Sequence, residues 1–280
     1  MNLKQTSFNE ILSLKPHDFA DWVSNNFLVV LPLQVETIED MRNSGKLLLV
    51  LANHITYLNS LLGYSRIKFR DTKRYGTKSD SDDLIDKDNH LDKMLCSVKQ
   101  GYAGLSRAIT VRKEINDELN ICKDDSLTII SKKDNETEMK RFTDNDLNNS
   151  PLGDTFSFDD VLKNPIIEFA NWINKNFTII IPEIIENIED MRMAGRLLLA
   201  LSNQYTYLNV LHGYGKIMSR YAKRYTTKIE SEDLIDKINL IEKAIDSVKS
   251  SYDGLSRAIT VRSEIKMELE MCGDLPITRI

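Results

Sequence analysis

The chain has 280 residues, is 41% apolar and 28% charged, holds six prolines and eleven glycines, and carries a net charge of −5. That balance suits a helix-rich globular protein of about two domains and is too poor in turn residues for an all-β fold. The negative charge excludes wholesale coating of nucleic acid while leaving room for a local basic patch. No apolar run reaches the length of about 18 residues that a spanning helix needs, and the N-terminal MNLKQTSFNEILSLK lacks the apolar core of a secretory signal. The expectation is a cytoplasmic protein with no membrane partner.

Residues 7–130 align with 157–280 at a constant offset of 150, without a gap, and 64 of the 124 positions are identical. The stretch GLSRAITVR stands whole at 104–112 and again at 254–262. The chain therefore divides into unit one (1–130), a polar, aperiodic linker (131–156) and unit two (157–280). Each residue of one unit has a repeat mate 150 positions away, and a mechanism common to both units needs its residues twice.

Each unit opens on a short amphipathic segment, Phe8, Leu12, Phe19 and Trp22, with mates Phe158, Leu162, Phe169 and Trp172. An extended apolar run follows (27–31 and 177–181), ended by Pro32 and Pro182. Glu36, Glu39 and Asp40 then supply the acids that a helix N-terminus favours. The spacing of Ile38, Met41, Leu48, Ile55 and Leu62, widened by Leu47, Leu51, Leu58 and Leu61, predicts one long helix over about 33–75. Gly45 and Gly63 interrupt it and recur as Gly195 and Gly213, which points to close helix contacts or kinks.

After a polar break at about 76–81, Asp80, Asp82 and Asp83 open a second helix predicted over about 82–122. Its stripe is Leu84, Leu91, Leu95, Val98, Tyr102, Leu105 and Ile109, repeated in unit two. Short extended tails are expected at 127–130 and 277–280. Two long helices joined by a short loop run antiparallel. The expected fold is all-α: a tandem duplication of a long antiparallel hairpin, forming an elongated bundle about an approximate twofold. A lone hairpin cannot cover its own apolar face, so the units must pack on each other or on another chain.

Histidine chemistry is excluded as a shared mechanism. His17, His54 and His90 align with Ile167, Gln204 and Leu240, and His212 aligns with Leu62, so no histidine occurs in both units. There is no glycine-rich phosphate loop, GxSxG elbow or HExxH. The three cysteines, Cys96, Cys122 and Cys272, have neither an even count nor metal-ligand spacing. The recurring carboxylate pairs, Glu39 with Asp40, Asp83 with Asp86 and Glu114 with Glu118, suit helix starts and solvated faces. No catalytic residue, metal or cofactor is expected, and the protein is read as a non-enzyme.

Two constellations remain. The first is basic and aromatic: Tyr64, Arg66, Lys68, Phe69, Arg70, Lys73, Arg74, Tyr75 and Lys78, repeated as Tyr214, Lys216, Arg220, Tyr221, Lys223, Arg224, Tyr225 and Lys228. Cations that neutralise phosphates, interleaved with rings that stack on bases, are what a single-stranded nucleic acid site needs. The alternative is charge balance, because Asp80, Asp82, Asp83, Asp86 and Asp88 follow and face the cations across the loop. The second is a polar stripe: Asn53, Thr56, Tyr57 and Asn59 on the first helix, and Lys99, Tyr102, Ser106, Arg107, Thr110 and Arg112 on the second, with all ten mates identical. It reads either as a buried network that fixes helix register or as an anion site built on Arg107, Arg112, Arg257 and Arg262.

The segment 64–78, Asp86-Lys87, Tyr102 and Arg112 together resemble, by spacing, the small helical recombination mediators of tailed phages, the UvsY type. The resemblance covers about 60 residues of each unit. It implies binding of single-stranded DNA and loading of a recombinase. The function expected is thus an accessory protein of phage or mobile-element type that binds single-stranded DNA or RNA through Arg66, Arg70, Lys73, Arg74, Tyr75, Lys78 and their mates. The alternative is a structural or assembly adaptor that holds protein partners on the bundle surface, a pseudo-dimer within one chain and open to further oligomerisation.

Overall fold

The computed structural model describes residues 6–122, 157–182 and 184–271. The linker 131–156, the tails 127–130 and 277–280, and Cys272 lie outside the described residues.

The first half is built of four helices. Ser7 caps α1 (Phe8–Ser13): its Oγ accepts from the Glu10 N–H at 3.3 Å, and the Glu10 carboxylate accepts from the Ser7 N–H at 2.9 Å. Pro16 starts α2 (Pro16–Phe27), so the amphipathic segment is two helices parted by a residue with no N–H to continue α1. Residues 28–37 are irregular and pair with no strand among the described residues. Thr37 sets the start of α3 (Ile38–Tyr75), later than apolar spacing alone suggests. Its hydroxyl accepts from the Asp40 N–H at 3.1 Å, while the Asp40 carboxylate accepts from the N–H groups of Thr37 and Glu36. Thr77 does the same for α4 (Lys78–Cys122), accepting from the Asp80 N–H at 3.2 Å. The break between the long helices is therefore much shorter than the run of polar residues around it.

The second half repeats this order in α5 (Phe158–Lys163), α6 (Ile166–Phe177), α7 (Ile188–Tyr225) and α8 (Lys228–Met271). The aromatic seams recur. Phe8 meets Tyr57 edge-on at 5.3 Å as Phe158 meets Tyr207, and Trp22 meets Phe27 at 5.6 Å as Trp172 meets Phe177 at 5.4 Å. Buried lysines recur too. Lys87 Nζ donates to the carbonyls of Leu12 and Leu14, and Lys237 Nζ to that of Leu162, supplying donors that the C-terminal ends of α1 and α5 lack. The fold is all-α, a duplicated helical hairpin whose long helices span roughly 57 Å or more at 1.5 Å per residue.

The way the halves meet departs from the expected twofold. α4 packs against α3 and α7, and α7 packs against α4 and α8. A twofold exchanging the hairpins would lay α8 on α3 just as α4 lies on α7. Among the described residues α3 makes no substantial contact with either α7 or α8. The second helix of one unit thus meets the first helix of the next, head to tail, and α3 and α8 are left as the two edges. The cores are shared in the same sense: Ala20, Val111 and Ile115 lie in the core of the second half, while Leu199 and Val210 lie in that of the first. By length and composition α3 is apolar enough to cross a membrane, and 22% of its most apolar 18-residue window is buried.

Candidate functional site

The basic-aromatic segment occupies two different environments. In the second half it joins the halves. Arg220 pairs with Asp86, and Arg224 pairs with Asp83 at 2.5 Å, Asp82 at 3.9 Å and Asp86 at 4.0 Å. Asp82, Asp83 and Asp86 therefore meet cations of the other unit and not, as expected, those across their own loop, because the end of α7 lies against the start of α4; Asp80 instead bonds Thr77, and Asp88 feels the charge of Arg66 in its own unit. Lys216 pairs with Glu242 at 3.1 Å and Lys228 with Glu232 at 3.6 Å, while Lys223 is exposed. The Tyr221 and Tyr225 rings lie 4.8 Å apart, both exposed. In the first half Arg66 reaches Asp92 at 3.4 Å. Arg70, Lys73, Arg74 and Lys78 are exposed with no ion pair among the described residues, and Tyr75 is 86% exposed. A cavity of about 870 Å³ opens where these ends meet, lined by Tyr75, Tyr221, Tyr225, Lys68 and Arg224 but also by Asp80, Asp83 and Asp86. Its wall is mixed in sign.

The four arginines of the polar stripe are engaged by oxygen atoms of the chain. Arg107 pairs with Glu114 at 3.1 Å and reaches Thr260 Oγ1 at 3.5 Å. Arg112 Nε donates to the Glu36 carbonyl at 3.1 Å, and Arg257 pairs with Glu264 at 3.6 Å. Arg262 donates to the Glu186 carbonyl and, through two nitrogens at 3.0 and 3.1 Å, to the Glu118 carboxylate. Burial pushes the Glu118 carboxyl up, but Arg262 and Lys266 outweigh it and hold the group below its ordinary value. This ion pair links α4 to α8.

The seam between α4 and α7 is built from the small and polar residues of the repeat. Asn203 brackets the Leu31 peptide, accepting from its N–H at 2.8 Å and donating to its carbonyl at 3.2 Å. Thr206 and Ser97 exchange hydroxyl-to-carbonyl bonds at 3.3 and 3.4 Å. Arg196 holds the Glu36 carboxylate at 2.6 Å. Glycines permit the approach: a methyl on Gly213 would collide with the His90 ring, one on Gly104 with the Ser202 side chain, and one on Gly195 would rest 3.5 Å from Val111. Burial pushes His90 down to about 4. His212 is also held at about 4, burial outweighing its 2.7 Å bond to Glu242.

The repeat mates of this seam are bare. On α3, Gly45, Asn53, Thr56 and Gly63 are exposed, whereas Gly195, Asn203, Thr206 and Gly213 lie in the seam. Leu49 is 69% exposed against 1% for Leu199, and Ile67 is 60% exposed against 2% for Ile217. On α8, Asp236, Ser247 and Gly254 are exposed, whereas Asp86, Ser97 and Gly104 are buried. A methyl on Gly45, Gly63 or Gly254 would meet nothing within 4 Å. Each such glycine costs about 1 kcal/mol of helix stability against alanine, and no neighbour among the described residues requires it.

Sequence reasoning marked Gly45, Gly63 and the polar stripe but missed that the seam joins unlike helices. It also missed Glu36 with Arg196 and Glu118 with Arg262, because partners about 150 residues apart leave no local spacing signal. Among the described residues no group of three or more His, Cys, Asp or Glu side chains converges to hold a metal ion. No protein-family model, curated protein or solved structure matches the chain.

Proposed function

We propose that the protein is a non-enzymatic scaffold or assembly adaptor that holds protein partners on the outer faces of α3 and α8. One observation carries this reading: the residues that bury α7 against α4 stand exposed on α3. Exposed apolar side chains set among hydrogen-bonding residues and helix glycines suit a specific protein contact better than bulk solvent. The test is affinity purification of the tagged full chain from its native source, wild type beside Gly63→Arg. A stoichiometric protein present with wild type and lost with the variant is the expected result. Identical co-purifying material in both would overturn the reading.

A second reading has its own support. Arg70, Lys73, Arg74 and Lys78 lack carboxylate partners among the described residues, beside the exposed Tyr75. These five suit single-stranded DNA or RNA, in line with the resemblance to phage recombination mediators. Their mates Arg220 and Arg224 are occupied by aspartates, so one helix end and not two would carry the binding. Anisotropy of a labelled single strand should show affinity that falls steeply with salt and vanishes when Arg70, Lys73 and Arg74 are changed to Glu. No binding at low salt would remove this reading.

A further inference from the structure

The seam between α4 and α7 is one half of a contact whose other half the chain carries unused. We propose that the occupant of the α3 face is the α8 face of a second copy of this chain, packed as α4 packs on α7, so that copies add head to tail. The inference rests on the adaptor reading and names its partner.

The seam pairs unlike surfaces, and both surfaces recur 150 residues away, each on an edge helix. Several of the internal contacts have a counterpart ready between copies, although Cys96 with Tyr205 does not, its mates being Asp246 and Ile55. The seam pair Arg220–Asp86 becomes Arg70 with Asp236, both exposed and neither in an ion pair among the described residues. Arg196–Glu36 becomes Lys46 with Glu186, which keeps the charges and leaves both side chains in solvent in the single chain. Asn203, which brackets the Leu31 peptide, becomes Asn53, exposed, facing the Ile181 peptide. Gly213 under His90 becomes Gly63 under Leu240, an apolar residue of similar bulk. The charge pattern thus sets cations of α3 against acids of the second unit, Asp236 on α8 and Glu186 ahead of α7, the same sense as the cations of α7 against Asp86 on α4 and Glu36 ahead of α3.

The three glycines with open space around them independently point the same way. Gly45, Gly63 and Gly254 are retained mid-helix with nothing near them, while their mates each admit a side chain of the facing helix. A contact that uses one surface on each partner cannot close as a simple pair: it leaves an α3 face at one end and an α8 face at the other, so addition continues as a filament or closes as a ring.

The test is sedimentation velocity of the full chain over a concentration series, for wild type, Gly63→Arg and Gly254→Arg. Both sites have open space, so the arginines leave the single chain folded, and circular dichroism checks that. Wild type should grow in mass with concentration. Each variant alone should stay at the 32.2 kDa chain mass at every dilution, because the α3 or the α8 face is blocked in every copy. An equimolar mixture of the two should give a complex of two chains and no larger species, since each keeps one intact face. Monomeric wild type would overturn the proposal, as would assembly that survives either arginine or a mixture that stays monomeric while wild type assembles. If wild type is monomeric yet an unrelated protein, or vesicles of phosphatidylcholine and phosphatidylglycerol, bind and are lost with Gly63→Arg, self-assembly is wrong. The protein outcome would leave the adaptor reading standing; the vesicle outcome would replace it with a membrane face.

Discussion

α3 and α7 are 38 residues each and identical at 23 positions, yet six residues of α3 are buried and twenty-two of α7. Eleven residues buried on α7 are identical on α3 and not buried there, so neighbours account for that difference: among the described residues α7 lies between α4 and α8, while α3 has α4 and the short helices of its own unit. The comparison separates what a residue type can do from what its surroundings make of it. Asn203 brackets a buried peptide and Asn53 is exposed; Arg220 holds Asp86 and Arg70 holds nothing described. Substituting the same residue in each half therefore measures the seam with an internal control.

The largest contrast should come from the α4–α8 ion pair. Glu118 is 7% exposed, with Arg262 beside it, whereas Glu268 is exposed. Glu118→Ala leaves a largely buried guanidinium without its carboxylate and should cost about 3 to 4 kcal/mol in denaturant unfolding. Glu268→Ala should stay within about 0.5 kcal/mol of wild type.

Next comes pH, through His90 and its mate Leu240. His90 is fully buried with its folded-state value pushed down to about 4 from the ordinary 6.5. Between those values the unfolded chain binds a proton that the folded chain refuses. Stability is therefore full above about pH 6.5 and falls as pH drops toward 4, by about 3 kcal/mol for this group. His212 acts in the same window and direction. His90→Leu should flatten the fall by about half in urea melts at pH 7, 5.5 and 4.5. An unchanged slope would mean that His90 is protonated in the fold.

How far this comparison could be read in advance differs by feature. The helix stripes, the hairpins and the duplication were legible, because periodicity and self-similarity are local or offset signals. The caps Thr37 and Thr77 are legible in principle, but the acids beside them suit a helix first turn at several positions and blur the starts. The seam was not legible. Most of its members, Asn53 and Asn203 among them, are identical in the two units, and the exceptions, such as His90 against Leu240 and Arg196 against Lys46, carry no local sign of which copy is covered. Which helix lies beside which depends on the register with which the second hairpin docks, and that is set by the summed fit of Gly104, Gly213, Ser97 and Thr206 at once. The basic helix ends failed to resolve for the same reason: Arg74 and Arg224 are the same residue, and only the docking of α7 on α4 supplies one of them with aspartates.

Glycine substitutions give a contrast of sign and bear directly on assembly. Gly104→Ala should cost about 2 kcal/mol, since its methyl meets Ser202 in the packed seam. Gly254→Ala should gain up to about 1 kcal/mol, since a free helix position gains propensity and loses nothing.

The smallest and sharpest effect is at Gly63. In the single chain Gly63→Ala should behave like Gly254→Ala and raise stability by about 1 kcal/mol or less at dilute concentration. If the α3 face is covered by Leu240 of another copy, the same methyl falls where Gly213 admits His90, and it should weaken association while it strengthens the fold. A variant that is more stable as a monomer and poorer at assembly would explain why a costly residue stands on an open helix face. One that gains stability and assembles as before would place the contact elsewhere on α3, away from the surface that α7 buries.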